Sequence, residues 1–202
     1  MDEALKHFKK VDPVLYTAAK KHQHLLATSS KRMTSRTLFT TLCESVVSQQ
    51  LSVRAADTIW GRLEAICGGE VTPESIRSTS LPKLHKAGLS AAKVKALKAI
   101  GKAVEKGLNL PALKKKSPEE ATQALTSIWG VGPWTAEMFL MFGLSHPDIF
   151  SARDLGLVRA IEELYDLKNP SHKELEAIAV RWSPHRTLAC RILWKSRDTK
   201  KT

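Results

Sequence analysis

The segment Leu125-Thr-Ser-Ile-Trp-Gly-Val-Gly-Pro-Trp-Thr-Ala136 carries the residue types best suited to holding an anion. Gly130 and Gly132 flank one apolar residue, Val131, between two stretches of helical pattern. Both glycines can adopt positive φ, and neither has a side chain to hold a phosphate away. Pro133 then sets the first turn of the next helix, whose leading N–H groups have no partner within it. Backbone donors and the positive end of a helix dipole make a site that grips a nucleic-acid phosphate without reading bases. Thr135 lies in that first turn. The plain alternative is a helical hairpin that needs its glycines for steric reasons alone.

Charge supports the anion reading. Thirty-two Lys and Arg against 20 Asp and Glu leave +12 over 202 residues. A surplus of that size favours polyanionic partners through counterion release and steering. From Lys83 to Lys116 there are ten lysines and a single acid, Glu105. A solvated, lysine-rich helical surface accounts for that run equally well. The run lacks bulky aromatic anchors, so a membrane-surface role is not expected.

The elements that must position the turn are helical nearly throughout. Residues 37–66 place Leu38, Leu42, Val46, Val47, Leu51, Ala55, Ile59 and Leu63 on one apolar stripe, with a break expected near Gln49-Gln50. Thr72-Pro73 and Ser80-Leu81-Pro82 restart short helices, and Ser90 caps a longer one. Gly107 to Lys116 reads as a loop, and Ser117 with Glu120 forms a capping box for the helix entering the hairpin. Pro133 begins a helix ending near Gly143; further helices are expected over 154–164, 173–182 and from Pro184 through Trp194. Alternating strand patterns are almost absent, so the fold class is all-α. Hydrophobic residues at 43% and charged residues at 26% are ordinary globular values. No stretch reaches the roughly 18 apolar residues of a membrane span, and no apolar segment follows Met1, so no secretory signal is expected. Cys43, Cys67 and Cys190 are odd in number and far apart, which fits an intracellular protein without a disulfide framework. The seven histidines show no pairing that supports a catalytic zinc or iron.

The hairpin segment resembles the helix-hairpin-helix of the DNA glycosylase superfamily that includes endonuclease III. The resemblance extends to Ile149-Phe-Ser-Ala-Arg-Asp-Leu-Gly-Leu-Val-Arg159, about twenty residues on, where Asp154 matches the family's catalytic aspartate. Val47-Ser-Gln-Gln-Leu-Ser-Val53 and Trp182-Ser-Pro-His-Arg186, followed by Trp194, resemble the branch of 3-methyladenine DNA glycosylase II, an alkylation-repair enzyme. Ser151-Ala152-Arg153 departs from the commoner proline-containing approach to the aspartate. The resemblance implies a two-lobed helical fold with a DNA-binding cleft between the lobes, with lobe one at about 37–120 and lobe two at about 1–36 plus 121–202. Some members carry an N-terminal β domain, for which a chain of this length leaves no room.

The resemblance also implies roles. Breaking an N-glycosidic bond passes through an oxocarbenium-like state, which an ionised Asp154 can stabilise while helping to place water. Aspartate at a helix start is also an ordinary cap. Bifunctional relatives carry a lysine two residues after the second hairpin glycine; Trp134 stands there and cannot form a Schiff base. Monofunctional hydrolysis is therefore expected, with no iron–sulfur cluster and no required cofactor. Trp134 and Trp194 map to the base pocket, where electron-rich rings stack on a cationic alkylated purine. Trp60, Trp129 and Trp182 are assigned to the core, while Phe39 and Phe139 stay open as further pocket residues. A minor-groove plug falls on the Gln50-Leu51-Ser52 turn, with Gln50 or Leu51 as the inserting side chain and Ser52 where some relatives carry a bulkier reader of the opposite strand. A structural Na+ or K+ on the main-chain carbonyls of Thr126, Ile128 and Val131 is implied as well. The expected partner is double-stranded DNA containing alkylated bases, bound by a monomer. The rival reading is a homologue that binds abasic or distorted DNA without excising anything. A bifunctional oxidised-base glycosylase stands third, and Trp134 speaks against it.

Overall fold

A computed structural model describes residues 2–22 and 35–198. The described residues are helical, with no strand among them. They fall into two compact units, one built from residues 1–31 and 146–202, the other from residues 32–145. The first junction, at 31/32, lies outside the described residues. The second lies at Ser145-His146, whereas the expected lobes part near residue 120.

The continuous unit begins with α3 (Ser35–Ser48) and α4 (Val53–Ile66), so the expected break falls at residues 49–52. Then come α5 (Pro73–Ser78), α6 (Leu81–Lys86) and α7 (Ala91–Glu105). Residues 107–116, expected as a loop, contain a 3-10 turn at Pro111–Lys115. The helix α8 (Pro118–Thr126) leads to the hairpin, and α9 (Pro133–Met138) runs on as a π-helical turn, Phe139–Gly143. Residues 121–145 belong to this unit because α8 packs on α9, and α9 with the π turn packs on α3. Leu38, Leu42 and Val46 of α3, Leu97 and Ile100 of α7, Leu125 and Phe139 form its buried centre. Local signals set the helix starts. Thr72 makes a capping box with Ser75, Ser117 makes one with Glu120, and Ser90 caps α7 through the Lys93 N–H.

The discontinuous unit holds α1 (Asp2–Val11), α2 (Pro13–Lys21), α10 (Leu155–Tyr165), α11 (His172–Ala179), a 3-10 turn at Val180–Trp182 and α12 (Arg186–Asp198). Asp12 ties its distant segments together. Its Oδ1 accepts the Leu15 N–H at 3.0 Å, capping α2. Its Oδ2 accepts the Tyr165 hydroxyl at 2.7 Å and the Trp182 indole N–H at 2.9 Å. With Asp12 only 2% exposed, these bonds offset the cost of burying a carboxylate. Burial and the Asp12 carboxylate push the Tyr165 phenol well above its ordinary pKa. Replacing Asp12 with Ala strands one buried and one half-buried donor and removes a cap, so a loss of about 3 kcal/mol is expected in urea unfolding. Tyr165→Phe, which removes one bond and leaves the carboxylate its other partners, is expected to cost about 1 kcal/mol.

Candidate nucleic-acid interface and carboxylate site

The two hairpin glycines have different reasons to be glycine. Gly130 adopts φ +85°, and a Cβ there would lie 2.4 Å from the Ala96 Cβ on α7. Its lack of a side chain is what lets the hairpin pack on α7. Gly132 instead has φ −90° and ψ 174°, an extended N-cap that any residue can adopt, so the expected positive φ is absent there. A Cβ on Gly132 would meet nothing within 4 Å. As the N-cap of α9, Gly132 supplies no side-chain cap bond. The fold thus explains Gly130 and leaves Gly132 as a bare patch of backbone at a helix start, as close approach of an outside group requires. Residues 126–132 and Gln49 line a shallow depression of about 640 Å³ at this turn.

Thr135 is 1% exposed, and its Oγ1 accepts the Gln49 Nε2 donor at 2.8 Å. Its hydroxyl oxygen is thus engaged by an interior partner, and Thr135 offers the hairpin face no exposed side chain. Gln49 Nε2 also donates to the Gly130 carbonyl at 3.1 Å. Trp129, expected in the core, is 47% exposed, and the Lys95 ammonium sits 4.1 Å from its ring centroid. Trp182 is buried as expected, and Trp60 is half-buried. Phe39 and Phe139 are both fully buried, which removes them as pocket residues. Trp134 is half-buried, one residue after Pro133 in α9.

The turn between α3 and α4 presents Gln50 and Leu51 outward. Leu51 is 38% exposed, and Gln50 is held at φ +55°. Ser52 is the N-cap of α4, accepting the Ala55 N–H at 3.3 Å, so its hydroxyl has a structural task beside any contact with DNA. The lysine run is not uniformly solvated. Lys93 Nζ donates to the carbonyls of Val47 (2.7 Å) and Gln49 (3.0 Å). Lys98 Nζ donates to Ile76 (3.1 Å), Arg77 (3.3 Å) and Thr79 (3.2 Å). Both close the C-terminal ends of helices, where a cation meets orphan carbonyls and the negative end of the dipole.

In the other unit, Asp154 is the N-cap of α10 and is half-buried. Its Oδ1 accepts the Leu157 N–H at 2.8 Å and the Trp194 indole N–H at 2.9 Å. The cap fixes a carboxylate that is half-exposed at a helix start, a placement compatible with the chemical role expected of it. Gly156 makes room for this pair. A Cβ there would sit 2.9 Å from Asp154 Oδ1 and 3.1 Å from the Trp194 ring. Trp194, assigned to stacking, is therefore also a donor to the carboxylate.

The segment before Asp154 is pinned by the start of α12. Thr187 Oγ1 donates to the His146 carbonyl at 2.6 Å and accepts the Ile149 N–H at 3.0 Å. Arg186 Nε meets Asp148 Oδ1 at 2.8 Å, and Ser183 donates to Oδ2 at 2.8 Å. Burial pushes the Asp148 carboxyl up, but the Arg186 and Ser183 bonds outweigh it and hold it below its ordinary range. This stabilisation is present above the ordinary carboxylate range and lost as pH falls through the depressed value. The Trp-Ser-Pro-His-Arg run is thus a brace for the approach to Asp154.

Residues 43–185 match the family described as HhH-GPD superfamily base excision DNA repair protein. The chain belongs to the HhH-GPD superfamily. Among its relatives is DNA-3-methyladenine glycosylase 1 of Schizosaccharomyces pombe, 34% identical over 83% of this chain and 75% of that protein. The solved structure of the 3-methyladenine DNA glycosylase of that yeast in complex with abasic DNA superposes with a TM-score of 0.84. It is 30% identical, and the match covers 97% of each chain. The DNA-3-methyladenine glycosidase structure from Bacillus halodurans gives a TM-score of 0.78 at 33% identity, over 98% of this chain and 90% of that one. In this HhH-GPD chain, Gln50, Leu51 and Gly130 are exposed, Gly132 and Asp154 are half-exposed, and the Val131 side chain between the two glycines is buried. Motif spacing missed Lys93, Asp148 and Asp12, and it took in Gln49 and Gly156 without showing what they do. Each acts through a partner distant in the chain, except Gly156, whose neighbour Asp154 signals it only once Trp194 is in place.

Proposed function

We propose that this chain is a monofunctional DNA glycosylase that hydrolyses the N-glycosidic bond of alkylated purines in duplex DNA. The carrying observation is Asp154, a half-buried carboxylate at a helix start whose Oδ1 is fixed by two N–H donors. Its charge suits the cationic sugar formed as the C1′–N bond breaks and the electron pair leaves with the base. Water then adds to C1′ and loses a proton, leaving an abasic site. Alkylation gives the purine a positive charge, so the leaving group needs little further help. Trp134, standing where bifunctional relatives carry lysine, supports hydrolysis without strand cleavage. In this reading the bare Gly132 backbone receives a phosphate, Gln50 or Leu51 fills the vacated stack, and Trp134 and Trp194 face the everted base. The partner is double-stranded DNA with alkylated bases, met by a monomeric intracellular protein.

The carbonyls of Thr126, Ile128 and Val131 belong to residues that line the depression at the hairpin. These neutral oxygens suit a singly charged cation such as Na+ or K+, which would brace the turn while taking no part in the chemistry.

The test is release of free base from methylated duplex, followed by a panel containing hypoxanthine and ethenoadenine. Release of 3-methyladenine or 7-methylguanine, with no borohydride-trapped DNA adduct, is the expected result. Tight binding to abasic-analogue duplex with no base released would overturn it in favour of the non-excising reading.

A further inference from the structure

We propose that Lys93 and Gln49 are positioning residues that lock the Gln50-Leu51 turn to the phosphate-gripping hairpin, so that both meet the duplex as one preformed surface. The proposal rests on the plug and hairpin roles given above and adds two residues to them. Four bonds carry it. Lys93 Nζ holds the carbonyls of Val47 and Gln49 at 2.7 and 3.0 Å. Gln49 Nε2 holds the Gly130 carbonyl and Thr135 Oγ1 at 3.1 and 2.8 Å. The circuit closes through α7. Ala96, three residues after Lys93 and so on the same side of that helix, is the residue against which Gly130 packs. One helix therefore supports the turn through an ammonium and the hairpin through a methyl group, while Gln49 bridges the two directly.

The turn needs such support. The backbone bonds within it are Gln49 N–H to Val46 O and Leu51 N–H to Ser48 O, at 3.3 and 3.1 Å. Gln50 holds φ +55°, a region that L-residues adopt only where their surroundings impose it. Held this way, Gln50 and Leu51 are presented before DNA arrives, and less ordering remains to be done on binding. Partial burial lowers the Lys93 pKa, because the ammonium is partly withdrawn from water. Lys93 is thereby a different kind of lysine from the exposed members of its run. It contributes through the shape of the turn, not through counterion release.

That difference is measurable. Affinity for a duplex carrying a tetrahydrofuran abasic analogue is compared with affinity for undamaged duplex across a salt series, using the full chain. Insertion is followed by 2-aminopurine fluorescence beside the lesion. Lys93→Met and Gln49→Leu are each expected to lower abasic-analogue affinity about tenfold and to reduce the fluorescence change. Undamaged affinity and the salt slope should stay within twofold of the parent. The double variant should lose little more than the worse single one, because both cut the same circuit. Lys93→Arg, which retains donors, should recover most of the loss. The proposal is overturned if Lys93→Met lowers both affinities equally and reduces the salt slope by about 1, the mark of a phosphate contact. It is equally overturned if both variants bind the abasic analogue as the parent does. Thermal unfolding separates these outcomes from a fold defect, and Gln49→Leu, at a half-exposed position, keeps the test open if Lys93→Met does not fold. A parent protein with no preference for the abasic analogue would instead defeat the lesion-binding reading itself.

Discussion

Asp154→Asn is expected to abolish release of 3-methyladenine and 7-methylguanine from methylated duplex, by at least about 100-fold, while leaving affinity for abasic-analogue DNA within a few-fold of the parent. The reasoning follows from what the substitution keeps. Asparagine retains an oxygen for the Leu157 N–H and the Trp194 indole N–H, so the cap and the indole contact survive. It loses the negative charge. Preorganised charge aimed at a developing cation is worth about 100- to 1,000-fold in rate when one such group is removed. Binding to an abasic analogue, in the proposed reading, uses the hairpin and the plug turn instead. Single-turnover base release and equilibrium DNA binding, measured on one preparation, separate the two; normal excision by the variant would remove Asp154 from the mechanism. Gly156→Ala provides a graded companion. Its methyl group would press to 2.9 Å from Oδ1 and 3.1 Å from the indole, moving the carboxylate without removing it. A fall in the maximal rate with an unchanged half-saturating DNA concentration is expected.

Gly130→Ala and Gly132→Ala are expected to fail in opposite ways. At Gly130 the new Cβ would be forced to within 2.4 Å of Ala96, at a φ of +85°. Left-handed backbone alone costs an L-residue about 1–2 kcal/mol, and the overlap adds to it. Loss of at least about 2 kcal/mol of stability is expected in urea unfolding, with DNA binding lost as the hairpin shifts off α7. At Gly132 there is neither strain nor collision, only an N-cap change of under about 1 kcal/mol. The methyl group would stand on the open face of the turn. Affinity for duplex DNA should fall about tenfold or more, undamaged sequences included, because a phosphate contact positions without reading sequence. If Gly132→Ala binds undamaged duplex as well as the parent, the phosphate does not sit on this backbone.

Sequence alone determined the features that short-range chemistry controls. The all-helical class, the caps at Thr72, Ser90 and Ser117, and the break at residues 49–52 each depend on residues within a turn or two of one another. The hairpin and the helix start at Asp154 were legible for the same reason. Tertiary structure alone decided which member of a like pair does what. Gly130 answers to Ala96 and Gly132 to nothing in the described chain. Trp182 is buried against Asp12, 170 positions away, whereas Trp129 lies exposed under Lys95. Lys93 and Lys98 look like their neighbours in a basic run, yet both are consumed by helix ends. The physical reason is common to all of these. A side chain's type limits the bonds it can form, but its partner is chosen by packing between segments that no local pattern links.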